Sequence, residues 1–157
     1  MLSESARMSS AAETRFRVQA PNSLPRAIKV IALDAAGEAV VRRLADSDWT
    51  HATFLTALSP DAARDLAGRT RSIRDEVETA DLVVLVAGPG GRAHAASTIG
   101  QACSVRSVMT TGFVVGAGAA PESELSRTLA QLRPWSLMVV IANDDEYTVD
   151  MMAALRA

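Results

Sequence analysis

Apolar residues in this chain form short unbroken runs that alternate with segments of helical periodicity. The clearest run is Leu82–Ala87, which is aliphatic throughout and typical of a strand buried on both faces of a parallel sheet. Four further runs predict strands at residues 28–33, 51–58, 107–115 and 137–142. Strands that alternate with helices predict the α/β class, here a three-layer, doubly wound, Rossmann-like fold with a mostly parallel sheet and right-handed crossovers.

The segments between these runs carry apolar residues at helical spacing. Helices are predicted at residues 38–45 and 93–103, around Leu125, Leu129 and Leu132 at positions i, i+4 and i+7, and at the C-terminal end of the chain. Residues 72–79 predict a helical turn that leads into the central strand.

A further short helix is predicted directly after the second strand. Ser59 is placed as its N-cap, Pro60 as its first helical residue and Gly68 as its end, because these residue types favour those positions.

The chain divides into two parts by composition. Residues 1–26 are rich in Ser, Ala and Arg and contain Pro21 and Pro25, which predicts a flexible N-terminal arm. Residues 27–157 then form the α/β domain. No apolar stretch has the length of a signal-peptide core or of a membrane span.

Composition excludes several classes of function. A formal net charge of -2 and only 4% aromatic residues give no support for binding nucleic acid or an anionic membrane. The single cysteine, Cys103, cannot form an internal disulfide and predicts a reducing, cytoplasmic location.

Candidate chemistry lies in the glycine turn that follows the central strand. Gly88, Gly90 and Gly91 precede a predicted helix, and free backbone N–H groups together with the helix dipole favour a bound phosphate at such a turn. Arg92 and His94 stand where a phosphate turn prefers Gly, Ser or Thr, and could supply positive charge in its place.

Each of these residues also has a structural interpretation. The glycines could serve only a tight strand–helix turn, and Gly37 could serve only helix–strand packing. Arg92 and His94 could be solvated at a helix start. Asp34 could hold a ribose hydroxyl or a metal, or could simply cap the first helix.

Other chemistry-bearing residues lack the partners that catalysis needs. Cys103 falls on the small-residue face of a helix and is predicted to be core, and His51 has no evident triad partner. The acidic residues 144–146 are more typical of a helix N-terminus than of a magnesium site, and zinc-ligand spacing is absent.

The turns that follow the parallel strands are expected to share one crevice, since ligands of doubly wound folds bind beyond the carboxyl ends of the strands. These turns are residues 34–38, 59–61, 88–94, 116–120 and 143–145.

Four segments in this order resemble the nucleotide-binding half of FtsZ, the tubulin-like cell-division GTPase family. They are IKVI at 28–31 with the small-residue turn that follows, FLTALSPDAA at 54–63, ADLVVLVAGPGG at 80–91 and SLMVVIAND at 136–144. The resemblance runs from about residue 26 to residue 144 and implies an FtsZ-like domain, with Asn143 near the nucleoside and GTP or GDP as its ligand.

The chain departs from that family at the residues that contact phosphate. The signature loop of the family is Gly-Gly-Gly-Thr-Gly-Thr/Ser-Gly, whereas this chain has GGRAHAA at 90–96, with two glycines and neither hydroxyl residue. The first loop of the family is glycine-rich, whereas this chain has ALDAAG at 32–37. Asp34 stands where backbone would approach phosphate. Because the family continues into a central helix, a catalytic acidic loop and a second domain, GTP hydrolysis and self-polymerisation are expected to be lost.

Three functional hypotheses follow. The leading one is a non-catalytic FtsZ-like domain without cofactor that binds another protein, such as an FtsZ-like or enzyme subunit, with a homodimer left open. The second is a small GTP-type protein with a rearranged phosphate loop that uses Gly37, Gly88, Gly90, Gly91, Arg92, His94 and Asn143. The third, an NAD-linked enzyme, is disfavoured because the first turn lacks two of the three fingerprint glycines.

Overall fold

The structure, a computed structural model, describes residues 27–91 and 93–155. The predicted N-terminal arm and Arg92 lie outside the described residues. The strands are β1 (Ile28–Ala32), β2 (Ala52–Ala57), β3 (Ala62–Asp65), β4 (Thr70–Ser72), β5 (Leu82–Ala87), β6 (Met109–Val115) and β7 (Met138–Ala142). The α-helices are α1 (Ala35–Ala45), α2 (Ile73–Glu78), α3 (Ala95–Val105), α4 (Glu122–Leu132) and α5 (Asp145–Ala154). Short 3-10 helices cover Ala117–Ala119 and Arg133–Trp135.

All seven strands join one sheet in the order β4-β3-β2-β1-β5-β6-β7. The pairs β2–β1, β1–β5, β5–β6 and β6–β7 are parallel, so the predicted α/β fold with a mostly parallel sheet is confirmed. The chain order reverses at β1, whose neighbours are β2 and β5. The turns after β1 and β5 therefore lie at the topological switch point, where doubly wound folds place their ligands.

Helices cover both faces of the sheet, because alternate residues of each strand point to opposite sides. On one face Ile31 and Leu85 pack in a core with residues of α2, α3 and α4. On the other face Val30 and Val84 pack with residues of α1 and α5. Every residue of β5 is buried, as its unbroken apolar run predicts.

The predicted short helix at 59–68 is wrong, since this segment forms β3 and the turn that follows it. The Ser59 hydroxyl accepts hydrogen bonds from the N–H groups of Asp61 and Ala62, as a helix cap would. The chain then reverses, because the N–H groups of Leu58 and Ser59 both donate to the carbonyl of Ala62. The same local hydrogen bonds thus begin a β-hairpin.

A second hairpin turn follows β3 and replaces the predicted helix end. The Asp65 carboxylate accepts the N–H groups of Ala67 and Arg69, and Gly68 has a φ of 84°. Gly68 therefore serves a hairpin turn, where a left-handed backbone favours glycine. Strands β3 and β4 are antiparallel additions to the parallel sheet.

Two helix starts differ from the prediction. Helix α1 begins at Ala35, earlier than residue 38, because Asp34 acts as its N-cap. Helix α3 begins at Ala95, later than residue 93, because the preceding turn continues through Ala93 and His94.

Within the part of the chain that the structure describes, no helix is long and apolar enough to cross a membrane.

Candidate functional site

The Asp34 carboxylate lies at the centre of the switch point. Asp34 has extended backbone (φ -148°, ψ 179°) and its Oδ1 accepts the N–H of Gly37 at 2.7 Å, as an N-cap does. Its Oδ2 also accepts the N–H of Gly88, which follows β5, at 2.9 Å. One carboxylate therefore binds both the start of α1 and the turn after β5, in the place where a nucleotide-binding fold would accept an anion.

Among the described residues of the turn after β5, the N–H groups of Gly90, Gly91 and Ala93 also have acceptors within the protein. Thr128 of α4 accepts the Gly90 N–H at 3.0 Å and donates its hydroxyl to the Gly88 carbonyl at 3.3 Å. Gln131 of α4 accepts the Ala93 N–H at 3.2 Å, and the Gly91 N–H donates to the Gly88 carbonyl at 3.3 Å. Residues 88–91 and 93 are called the closed turn below, because the N–H groups named here are already bound.

The geometry explains why glycine occupies two positions around Asp34. A Cβ on Gly91 would lie 1.8 Å from Asp34 Oδ2, and a Cβ on Gly37 would lie 2.2 Å from the Val86 carbonyl oxygen. Only a residue without a side chain fits such approaches. Helix–strand packing thus accounts for Gly37, and the close approach of the Asp34 carboxylate accounts for Gly91.

Gly90 is required for a different reason, because its φ is 74°. A Cβ there would meet only the side chain of Glu124, at 3.0 Å. The left-handed backbone at Gly90 agrees with the interpretation that this glycine serves a tight strand–helix turn.

His94 lies beside the closed turn but makes no contact that marks it as a ligand. It occupies the N-cap position of α3, is exposed and makes no side-chain capping hydrogen bond. It lines a small cavity of about 180 Å³ together with Leu33, Ser59 and Pro60. The turns after β1 and β2 therefore meet the start of α3 on one face of the sheet.

Asn143 lies in a separate cavity of about 320 Å³ on the opposite face of the sheet. This cavity is formed by Ala36 of α1, by Gly116 after β6 and by Asn143 and Asp144 after β7. Asp144 is the N-cap of α5 and accepts the Tyr147 N–H at 2.8 Å. The turns expected to form one crevice do lie at one edge of the sheet, but they line two different cavities.

Sequence reasoning did not identify Thr128 and Gln131, which hold the closed turn from α4. Thr128 is 1% exposed and stands between Leu125 and Leu132 on the apolar face of that helix. The sequence did contain a signal for Thr128, because a threonine within an apolar stripe is expected to be buried and a buried hydroxyl needs a hydrogen-bond partner.

The described residues offer little chemistry of their own. Burial raises the pKa of the Cys103 thiol, which disfavours the thiolate and makes this cysteine structural, as predicted. Within residues 27–91 and 93–155, no three His, Cys, Asp or Glu side chains come together as a metal site requires. The candidate site thus consists of the closed turn and two small cavities, one on each face of the sheet.

Comparison with known proteins adds no relative: no family model matches the chain, and no curated protein matches it significantly.

Proposed function

We propose that this chain is a non-catalytic, FtsZ-like binding domain that acts through protein–protein contact and has lost GTP binding and hydrolysis. The observation that carries the proposal is the Asp34 carboxylate, which accepts the Gly37 and Gly88 N–H groups at the switch point. A Rossmann-like sheet is therefore combined with a turn that is closed by the protein's own carboxylate.

Electrostatics and hydrogen bonding both oppose a phosphate at this turn. A phosphate charge about 4 Å from the Asp34 carboxylate would cost about 4 kcal/mol at a surface-like dielectric. The same phosphate would find the N–H groups of Gly88 and Gly90 already bound to Asp34 and Thr128. Binding a phosphate there would therefore require those hydrogen bonds to break, and their loss would offset part of the gain.

The FtsZ-like part of the proposal depends on the order of the similar segments. The four segments named above overlap β1, β2, β5 and β7, each of which has a parallel neighbour in the sheet. A domain that keeps this frame without its phosphate contacts could bind an FtsZ-like protein or an enzyme subunit in a cytoplasmic setting.

The second candidate function is a small GTP-type nucleotide-binding protein with a rearranged phosphate loop. The cavity that contains Gly116 and Asn143 supports it, because this cavity lies at the carboxyl ends of β6 and β7 and is lined by α1. In that case Arg92 and His94 would supply the positive charge that a phosphate needs.

Calorimetric titration of GTP, GDP and ATP with Mg²⁺ tests the proposal. We expect no binding tighter than about 0.1 mM, or roughly -5.5 kcal/mol. A micromolar dissociation constant that is lost in both Arg92→Ala and Asn143→Ala would overturn the proposal and establish the second candidate. Cys103→Ala is the control, since that side chain is buried away from both cavities.

A further inference from the structure

The two edges of the sheet differ in how they are protected. Strand β4 has three exposed residues, and its Arg71 donates to the Asp65 carboxylate at 3.2 Å. Short length and charge are the usual protection of an edge strand against further pairing. Strand β7 pairs only with β6 among the described residues, and its sequence MVVIA contains no charge and no proline.

Large apolar side chains are exposed along the β7 edge. Leu137, just before the strand, is 79% exposed, and Met138 and Ile141 are 41% and 43% exposed. Val139 and Val140 pack against the two opposite cores of the domain. A strand added beside β7 would therefore meet apolar residues on both faces, which is the character of an interaction surface.

We propose that β7 pairs in antiparallel orientation with β7 of a second copy of this chain, so that one sheet runs through both copies. A two-fold axis at Val140 places Val139 opposite Ile141 and Met138 opposite Ala142. Every cross-strand pair in this register is apolar. The strand is thus complementary to itself, as an isologous contact requires.

The charges that flank β7 favour the antiparallel orientation. Arg133 is exposed shortly before the strand, and Asp144 and Glu146 are exposed directly after it. Antiparallel pairing brings Arg133 of one copy toward the acidic residues of the other copy. Parallel pairing would instead place Arg133 beside Arg133 and acid beside acid, so charge complementarity selects the antiparallel dimer.

This contact lies at the edge of the sheet and does not use the closed turn. The dimer can therefore exist whether or not the domain has lost nucleotide binding, and the nucleotide titration does not decide it. Sedimentation equilibrium between about 1 and 100 μM, the range of ordinary reversible dimers, is the direct test.

For the full chain we expect a dimer of the 16.6 kDa subunit. Ile141→Lys places a charge on the edge and should give a monomer across that range. Val105→Lys makes the same change at an 85% exposed residue at the end of α3, and should stay dimeric. Circular dichroism of Ile141→Lys confirms that the variant is folded.

A charge exchange tests the orientation with changes at exposed residues only. Arg133→Glu should weaken the dimer about tenfold, since the two-fold axis repeats each surface ion pair. Adding Glu146→Arg to that variant should restore the affinity.

Four results would overturn the proposal. The first three are a wild-type chain that is monomeric at 100 μM, a dimer that Ile141→Lys leaves intact, and a charge exchange that fails to restore affinity. A chain that dimerises only after residues 1–26 are deleted would also overturn it, because that segment would then occupy the edge.

Discussion

Two glycine-containing turns at the same edge of the sheet have opposite surroundings. In the closed turn after β5, Gly91 lies against the Asp34 carboxylate and Gly90 is bound by Thr128. In the turn after β6, a Cβ on Gly116 would have nothing within 4 Å, and Gly116 lines the cavity that contains Asn143. Glycine in a strand–helix turn is therefore no indication of a ligand by itself. The turn after β6 is called the open turn below, because no group lies within 4 Å of a Cβ placed on Gly116.

The largest loss of stability is expected at Gly37, where α1 packs directly against β5. Gly37→Ala should lower the free energy of unfolding by about 3 kcal/mol, because the new Cβ would lie 2.2 Å from the Val86 carbonyl of the central strand. Urea denaturation measures this loss. A change below about 1 kcal/mol would show that α1 can move away from β5 at little cost.

The contact between Gly91 and Asp34 should give a non-additive pair of variants. Gly91→Ala and Asp34→Ala should each cost about 2 kcal/mol, the first by collision with Oδ2 and the second by loss of the cap and of the Gly88 partner.

The double variant should be more stable than the sum of the two losses predicts, by about 1 kcal/mol, because the alanine methyl then occupies space that the carboxylate has left. Urea denaturation of all four proteins measures this coupling. Strict additivity would contradict the closed-turn geometry.

The open turn provides the matched test. Gly116→Ala should cost only about 1 kcal/mol, because its φ of 70° is unfavourable for alanine although no atom obstructs the methyl group. Thermal denaturation beside Gly91→Ala compares the two turns directly. A loss equal to that of Gly91→Ala would remove the distinction between them.

The smallest effect concerns the second carboxylate at the start of α1. The Arg42 guanidinium, aided by Arg64, holds the pKa of Glu38 below its ordinary value by hydrogen bonding to the carboxylate. The ionised Glu38 carboxylate therefore stabilises the folded protein. This stabilisation is fully present above the ordinary carboxyl pKa and is lost as the pH falls through the lower pKa of the folded state.

Glu38→Gln should therefore reduce stability by under about 1 kcal/mol at pH 7 and by nothing once the pH is below both values. Urea denaturation at a series of pH values checks the sign. A variant that lost equal stability at every pH would show that Glu38 acts by packing and not by charge.

The sequence predicted the strands of the parallel sheet well, because burial on both faces leaves an unbroken apolar run such as β5. It failed at β3, where only Ala63 is fully buried and where Ser59 and Pro60 carry helix-start signals. Antiparallel pairing with β2 decides that segment, and such pairing depends on a neighbouring strand more than on local propensity.

For the site, the sequence located the glycine turn and the capping role of Asp34, but not how they are connected. Asp34 reaches Gly88 across 54 positions of the chain, and Thr128 reaches the same turn from a third element. Local patterns do not record such distances. The expected single crevice was divided for the same reason, since α1 and α3 cover opposite faces of the sheet.

The hydrogen bond from the Gly88 N–H to Asp34 also limits the order in which parts of the domain can fold during synthesis. Asp34 can cap α1 as soon as Gly37 has left the ribosome, because that contact is local. The second bond, like the pairing of β1 with β5, must wait until Gly88 has been made. A nascent chain that ends before β5 thus holds β1 with one edge unpaired, and the hydrogen bond from Gly88 to Asp34 can form only once β5 has paired with that edge, before β6 and β7 extend the sheet.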